Sequence, residues 1–249
     1  MSAAAAIAGL AITITPSHAA LIGHWEFDNS GDVGEATVSS NLEVVGDASY
    51  SASGKVGGAL SLDGAGDYLR VDGSDSLASG MPTGDGSYTL AAFIQTTNAA
   101  RNAIIGWGNY GSDGEVNAFR TGDGVGFQAL TNYGWGGGYD SVAAAAILDG
   151  DWHHVAATYD SASSTKRLYF DGVEIGSGFV LANNLAVDGA NFRIGSTNGG
   201  EFANALLDDV RVYDEALDAS AIDGLASIPE PSAALFALAG IGLFLRRRR

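Results

Sequence analysis

The sequence predicts an all-β domain built as two antiparallel sheets packed into a sandwich, and three observations carry that expectation. Apolar and polar residues alternate in short runs, Gly, Asp, Asn and Ser bound those runs, and a helical period persists almost nowhere between residues 20 and 226. Successive side chains on a strand point to opposite faces, so such alternation buries one face and wets the other.

Leu21 to Phe27 sets Leu21, Gly23, Trp25 and Phe27 against Ile22, His24 and Glu26 and reads as the first strand. Gly58 to Leu62 and Tyr68 to Val71 flank the turn Asp63-Gly64-Ala65-Gly66, which Asp63 and Asp67 are expected to shape. Tyr88 to Gln95 follows, then Ile104 to Trp107, Val116 to Arg120, Val125 to Leu130 and Val142 to Leu148. In KRLYFDGVEI, Lys166 to Ile175, Asp171-Gly172 lies between two apolar runs. A two-residue turn whose glycine takes positive φ makes this a hairpin. Trp152 to Tyr159 precedes it, and Phe192 to Ile194 and Ala205 to Tyr213 complete the strands. Asp218 is placed to accept from the free amides of a short helix over Ala219 to Leu225. Pro229-Glu230-Pro231 then ends ordered continuation.

The chain has 12 Lys and Arg against 29 Asp and Glu, a formal net charge of -17. Such a surface repels phosphate backbones, which disfavours nucleic acid and anionic lipid as partners and favours divalent cations, basic surfaces or neutral glycans, acidity alone not choosing among them. With no cysteine, disulfides and thiolate chemistry are excluded, so the exported fold has to rest on packing, with room for an oxygen-ligated metal.

Both ends read as targeting segments. Ala3 to Ile14 is apolar, and Ser17-His18-Ala19 puts small residues where signal peptidase cuts, giving an export signal over residues 1–19. At the other end, residues 227–249, Ser232 to Leu245 carries no charge over fourteen positions. A helix of that length reaches about 21 Å, short of a roughly 30 Å hydrocarbon core. Arg246, Arg247, Arg248 and Arg249 follow and favour the cytoplasmic face. The tail is therefore an address or a temporary anchor, and the membrane is a partner through this segment alone.

Three stretches combine in order: GGALSLDGAGDYLRV at Gly57 to Val71, DWHHVAATYDSASSTKRLYFDGVEI at Asp151 to Ile175, and NALLDDVRVYDEAL at Asn204 to Leu217. Together they resemble the LamG-like (laminin G-like, concanavalin A-like) domains of bacterial secreted proteins over roughly Leu21 to Leu225. The resemblance implies a two-sheet jelly roll with the first strand beside the last. The tail resembles a PEP-CTERM sorting signal through Pro229, Glu230, Pro231, the apolar run and the arginines. That resemblance implies transient anchoring in the inner membrane, removal by an exosortase-type membrane protease, and delivery to the cell surface or extracellular matrix.

Retaining glycoside hydrolysis needs two carboxyls about 5 Å apart. Related glucanases place both on one strand in a Glu-x-Asp-x-Glu pattern or its one-residue-longer variant. No glutamate here has a second glutamate at the required spacing, and no serine sits in a Gly-x-Ser-x-Gly elbow. His153 and His154 are adjacent on a strand and point apart, so they cannot share one ion. Calcium is the expected cofactor. If the terminal strands are neighbours, as the resemblance implies, Asp28 lies near Asp208 or Asp209. Alternation puts Asp208 with Val210 and Val212 and leaves Asp209 with Arg211 and Tyr213, so one of the two is the expected ligand. The competing reading pairs one aspartate with Arg211 or Arg193 and lets the other cap a turn.

Trp107, Tyr110, Tyr133, Trp135 and Tyr139 stand among glycines in GWGNYGSDG and TNYGWGGGYD. Aromatic rings stack on the C–H faces of sugars, and glycines let backbone approach, so these five are the expected glycan contacts, with Asp113, Asn117, Asn132 and Asp140 as candidate hydrogen-bonding groups for the hydroxyls. The resulting expectation is an exported, non-catalytic glycan-binding or adhesion module of the polysaccharide matrix. A matrix structural protein without a specific ligand, and a glycoside hydrolase of this fold, are the alternatives.

Overall fold

The computed structural model describes residues 19–71, 79–108, 116–122, 129–134, 141–143, 147–180, 185, 192–197 and 200–227. Its strands in chain order are β1 (Leu21–Trp25), β2 (Leu42–Val45), β3 (Ser49–Ser51), β4 (Ala59–Asp63), β5 (Tyr68–Val71), β6 (Tyr88–Gln95), β7 (Asn102–Gly108) and β8 (Val116–Thr121). They continue with β9 (Ala129–Tyr133), β10 (Ser141–Ala143), β11 (Trp152–Asp160), β12 (Thr165–Phe170), β13 (Val173–Phe179), β14 (Arg193–Ile194) and β15 (Asn204–Tyr213). One helix, α1 (Ala219–Ala226), closes the described chain. Among the described residues no helix is long and apolar enough to cross a membrane.

The first sheet runs β13-β12-β11-β6-β15-β4-β3, with β1 also on β15, and the second runs β10-β9-β8-β7-β14-β5-β2. The ladders are antiparallel throughout. Period-two burial drives the packing. Leu90, Ala92 and Ile94 of β6 join Ile105, Trp107 and Phe119 of the other sheet in one core. Aromatic rings bridge it: Trp25 stacks on Phe192 at 5.3 Å, Phe192 meets Trp107 at 6.2 Å, and Trp107 meets Tyr88 edge-on at 6.0 Å. A smaller cluster of Ala91, Ala156, Tyr169 and Ile222 lies on the opposite face of the first sheet. Two alanines there leave room for α1, so the central strand β6 is covered on both sides.

The Asp171-Gly172 hairpin is present, with φ of 48° and 80°. A Cβ on Gly172 would stand 2.9 Å from Asp223 Oδ1, so the bare turn also lets α1 approach. Asp218 Oδ1 accepts from Ala221 N at 2.8 Å and caps that helix. The turn after β4 does more than reverse the chain. β4 pairs with β3 and β15 whereas β5 pairs with β2 and β14, so residues 64–67 carry the chain from one sheet to the other. Buried Asp67 fastens this crossing by accepting from Asp47 N at 3.1 Å and Asp63 N at 3.2 Å. Strands β2 and β3 have no counterpart in the pattern read from the sequence. β9 and β10 overlap only partly with the expected Val125 to Leu130 and Val142 to Leu148.

Candidate functional site

β1 lies beside β15, with His24 opposite Arg211 and Trp25 opposite Val210. On β15, Asp208 faces Phe93 and Arg211 faces Ala91 of β6, so Asp209 and Val210 together stand opposite one residue. This is a β-bulge. Asp209 takes φ 52°, a left-handed conformation that aspartate tolerates better than most residues. The extra residue resets the alternation: Ala205 and Leu207 enter the core before it, Val210 and Val212 after it. Asp208 therefore does not share a face with Val210 and Val212, contrary to simple alternation. It lies with Phe93 on the outer face, next to Asp209.

The two aspartates then have different partners. Asp209 Oδ1 lies 2.5 Å from His24 Nε2 and 3.1 Å from Arg211 Nε, and its Oδ2 lies 2.9 Å from Arg211. Burial alone would raise this carboxyl, but the His24 hydrogen bond and the Arg211 charge hold it below the usual carboxylate range. Asp208 Oδ2 accepts from Val56 N at 2.8 Å, while its Oδ1 is buried without a hydrogen-bond partner among the described residues. Burial pushes this carboxyl up to about 7, with the charges of Asp209 and Asp28 adding to the effect. Asp28 Oδ1 accepts from Gly58 N at 2.6 Å. Between those two amides sits Gly57, φ 77°, where a Cβ would come 2.2 Å from Asp28 Oδ1. The turn-capping and arginine-pairing arrangement expected as the competing reading is thus present: Asp208 and Asp28 hold the loop at residues 56–58, and Asp209 holds Arg211.

For a hard divalent cation the donor set divides in the same way. Asp209 has both oxygens committed to cationic or hydrogen-bonding neighbours and does not fit as a ligand. Asp28 and Asp208 fit: both carry carboxylate oxygens, they interact electrostatically, and Asp208 Oδ1 is an acceptor still lacking a donor. A bound cation would reverse the upward pull on Asp208. A second acidic group, Asp47, Asp63 and Asp67, brings carboxylate oxygens within 4.8 Å of one another. There Asp67 is already used by two backbone amides of the crossing turn.

His153 and His154 diverge as adjacent strand residues must. His154 is buried against Phe93 at 5.1 Å, and desolvation pushes it down to about 4. His153 stacks on Phe170 at 4.6 Å and lies between Asp171 at 2.9 Å and Asp149 at 3.1 Å. Burial pulls it down, but the two carboxylates outweigh burial and raise it above the ordinary imidazole value. The two rings therefore face different neighbours and are not placed to hold one ion together.

Trp107, expected as a glycan contact, has no exposed surface and fills the core between Tyr88 and Phe192. Its two-residue spacing from the equally buried Ile105 puts both on the inner face, so its glycine-rich surroundings misdirected the expectation. Tyr133 ends β9. Tyr110, Trp135 and Tyr139 lie outside the described residues, as do Asp113, Asp140, Pro229, Glu230, Pro231 and Arg246 to Arg249. β7 ends and β8 begins at Gly108 and Val116, a cross-strand pair, and β9 leaves at Tyr133 opposite Ala118. The β7–β8 and β9–β10 connections therefore start from the same end of the second sheet. Asn117 and Asn132, expected as hydrogen-bonding contacts to sugar hydroxyls, are instead buried beneath this end in a polar network with Lys166 and Tyr88. Lys166 Nζ donates to Asn132 O at 2.7 Å, Tyr88 Oη donates to Asn132 Oδ1 at 2.7 Å, and Asn132 Nδ2 donates to Asn117 Oδ1 at 2.7 Å. Lys166 comes from the first sheet and Asn132 from the second, so the bond ties the sheets together below the loops.

Among the described residues, fifteen antiparallel strands in two facing sheets, with the first strand laid against the last inside the first sheet, define a jelly-roll sandwich. Residues 63–223 match the Laminin_G_3 family, described as the concanavalin A-like lectin/glucanases superfamily, and the chain belongs to it. Among curated proteins, no sequence matches significantly. Among solved structures, the fold is similar to domain 4 of AbnA, a GH43 extracellular arabinanase from Geobacillus stearothermophilus, in complex with arabinotriose. That match has a TM-score of 0.62 and 20% identity, covering 84% of this chain and 99% of that one. The fold is also similar to the receptor binding domain of botulinum neurotoxin mosaic serotype C/D. There the TM-score is 0.56 and the identity 13%, covering 83% of this chain and 50% of that one.

Proposed function

We propose that this domain is an exported, non-catalytic module that binds glycans of the extracellular matrix or cell surface. The observation that carries the reading is the shared end of the β7–β8 and β9–β10 hairpins. The two hairpins leave the sheet at adjacent strand ends, Gly108 and Val116 beside Tyr133, next to a base tied by Lys166 and Asn132. Tyr110, Tyr133, Trp135 and Tyr139 supply stacking surfaces there, and Trp107 acts from below as packing. The binding of arabinotriose by the similar arabinanase domain supports the same class of ligand.

Asp28 and Asp208 would hold a calcium ion, which would supply positive charge to a buried acceptor and stiffen the junction of the first and last strands with the loop at residues 54–58, with no part in bond breaking. Residues 1–19 direct export through signal peptidase. The Pro229-Glu230-Pro231 tail with its arginine cluster is removed by an exosortase-type membrane protease. Binding on a glycan array that is lost in Trp135→Ala or Tyr110→Ala supports the reading, and binding unchanged in both contradicts it. Intact mass of the protein from its native host tests the two cleavages.

A further inference from the structure

The outer face of the first sheet carries a groove that neither the aromatic loops nor the aspartate junction uses. One row of cross-strand neighbours runs across it: Ser49, Ser61, Leu206, Gln95 and Trp152. Along this row lies a cavity of about 370 Å³ lined by Ser61, Gln95, Thr96, Thr97, Asn204 and Leu206, among others. No lining residue is ionisable, although the chain is strongly acidic.

The polar groups of the groove fall into two sets. Gln95 Nε2 donates to Gly150 O at 2.7 Å and Thr96 Oγ1 donates to Asn204 O at 2.7 Å, which fixes the frame. The Ser61 and Thr97 hydroxyls and the Asn204 carboxamide make no side-chain hydrogen bond to another described residue. Donors and acceptors of both kinds therefore face solvent over an aliphatic floor. Trp152 pairs with Gln95 at the end of the row, is half-buried and belongs to neither hydrophobic cluster. Hydroxyl-matching amides, an apolar floor and one aromatic plane are what a sugar ring requires, its equatorial hydroxyls and C–H face being satisfied separately. Asp63, Asp149 and Asp151 adjoin the lining in sequence and disfavour an anionic sugar.

We propose that this groove is a second carbohydrate subsite, specific for an uncharged oligosaccharide that stacks on Trp152 and hydrogen-bonds to Ser61, Thr97 and Asn204. The inference shares with the proposed function only the premise that the domain handles glycans, and it uses the other sheet. Two subsites on separate faces would let one domain join two polysaccharide chains.

The chain has four tryptophans, Trp25, Trp107, Trp135 and Trp152, so 5-fluorotryptophan labelling of the full chain gives four fluorine resonances. Trp152→Phe and Trp135→Phe assign two of them. Titration with arabinotriose, xylotriose and laminaritriose is expected to shift the Trp152 resonance saturably with at least one of them. Asn204→Ala, which leaves the backbone bonds of that residue intact, is expected to weaken this response about tenfold. A response at Trp135 with none at Trp152 overturns the second subsite while leaving the loop platform standing. No response at either overturns both, and a Trp152 response unaffected by Asn204→Ala and Ser61→Ala overturns the groove.

Discussion

Asp28 and Asp208, from opposite ends of the domain, grip one loop: Asp28 accepts from Gly58 N at 2.6 Å and Asp208 from Val56 N at 2.8 Å. The pair closes the domain where its first and last strands meet, and it leaves Asp208 Oδ1 buried without a hydrogen-bond partner among the described residues. Calcium is expected to raise the melting temperature and EDTA to lower it. Saturation at a hundredfold excess over Kd corresponds to about 2.7 kcal/mol. Asp208→Asn should abolish the calcium-dependent increment, and an identical midpoint with and without chelator would argue against a bound cation.

Asp209→Ala is expected to destabilise the fold by about 3 kcal/mol, because it leaves Arg211 and His24 partly buried without their shared carboxylate. Urea unfolding measures this directly. Asp209→Asn, which tolerates the left-handed backbone, should cost less.

The two adjacent histidines should titrate far apart. His153, raised by Asp171 and Asp149, contributes stability that is fully present below its unfolded pKa and lost as pH rises through its higher folded value. His154, held near 4, acts oppositely: the unfolded chain takes up its proton first, so stability falls as pH drops from the ordinary imidazole range toward 4. Proton NMR should find His153 charged and His154 neutral at about pH 5.5. In Asp171→Asn the His153 value should fall, and an unchanged value would remove the carboxylates as its cause.

Gly57→Ala is expected to cost more than about 1 kcal/mol, since it combines positive φ with a collision against Asp28. Thermal unfolding of this variant beside Gly224→Ala, where a Cβ meets nothing, separates the effect from ordinary glycine replacement within one protein.

Local signals in the sequence were enough wherever the chemistry is local. Asp171-Gly172 encodes its turn, Asp218 its cap, and the alternation of Tyr88 to Gln95 its strand, because each depends on residues a few positions apart. The adjacency of β1 and β15 followed from resemblance. The bulge left a trace that simple alternation passed over: apolar residues fall at Ala205 and Leu207 and then at Val210 and Val212, a change of phase across Asp208-Asp209 that pairing with β6 makes explicit. A limit of local reading hid the crossing between sheets after β4, which depends on partners far along the chain. It also hid Lys166, whose bond to Asn132 exists only once the sheets face one another. For Trp107, strand parity with Ile105 pointed inward and glycine context pointed outward, and parity prevailed.

Affinity electrophoresis of the full chain through gels containing neutral polysaccharides, with new reducing ends assayed in the same samples, tests binding and cleavage together. Retardation by at least one polymer without chain scission is the expected result. Free migration in every gel, or reducing ends accumulating with time, would contradict a non-catalytic glycan-binding domain.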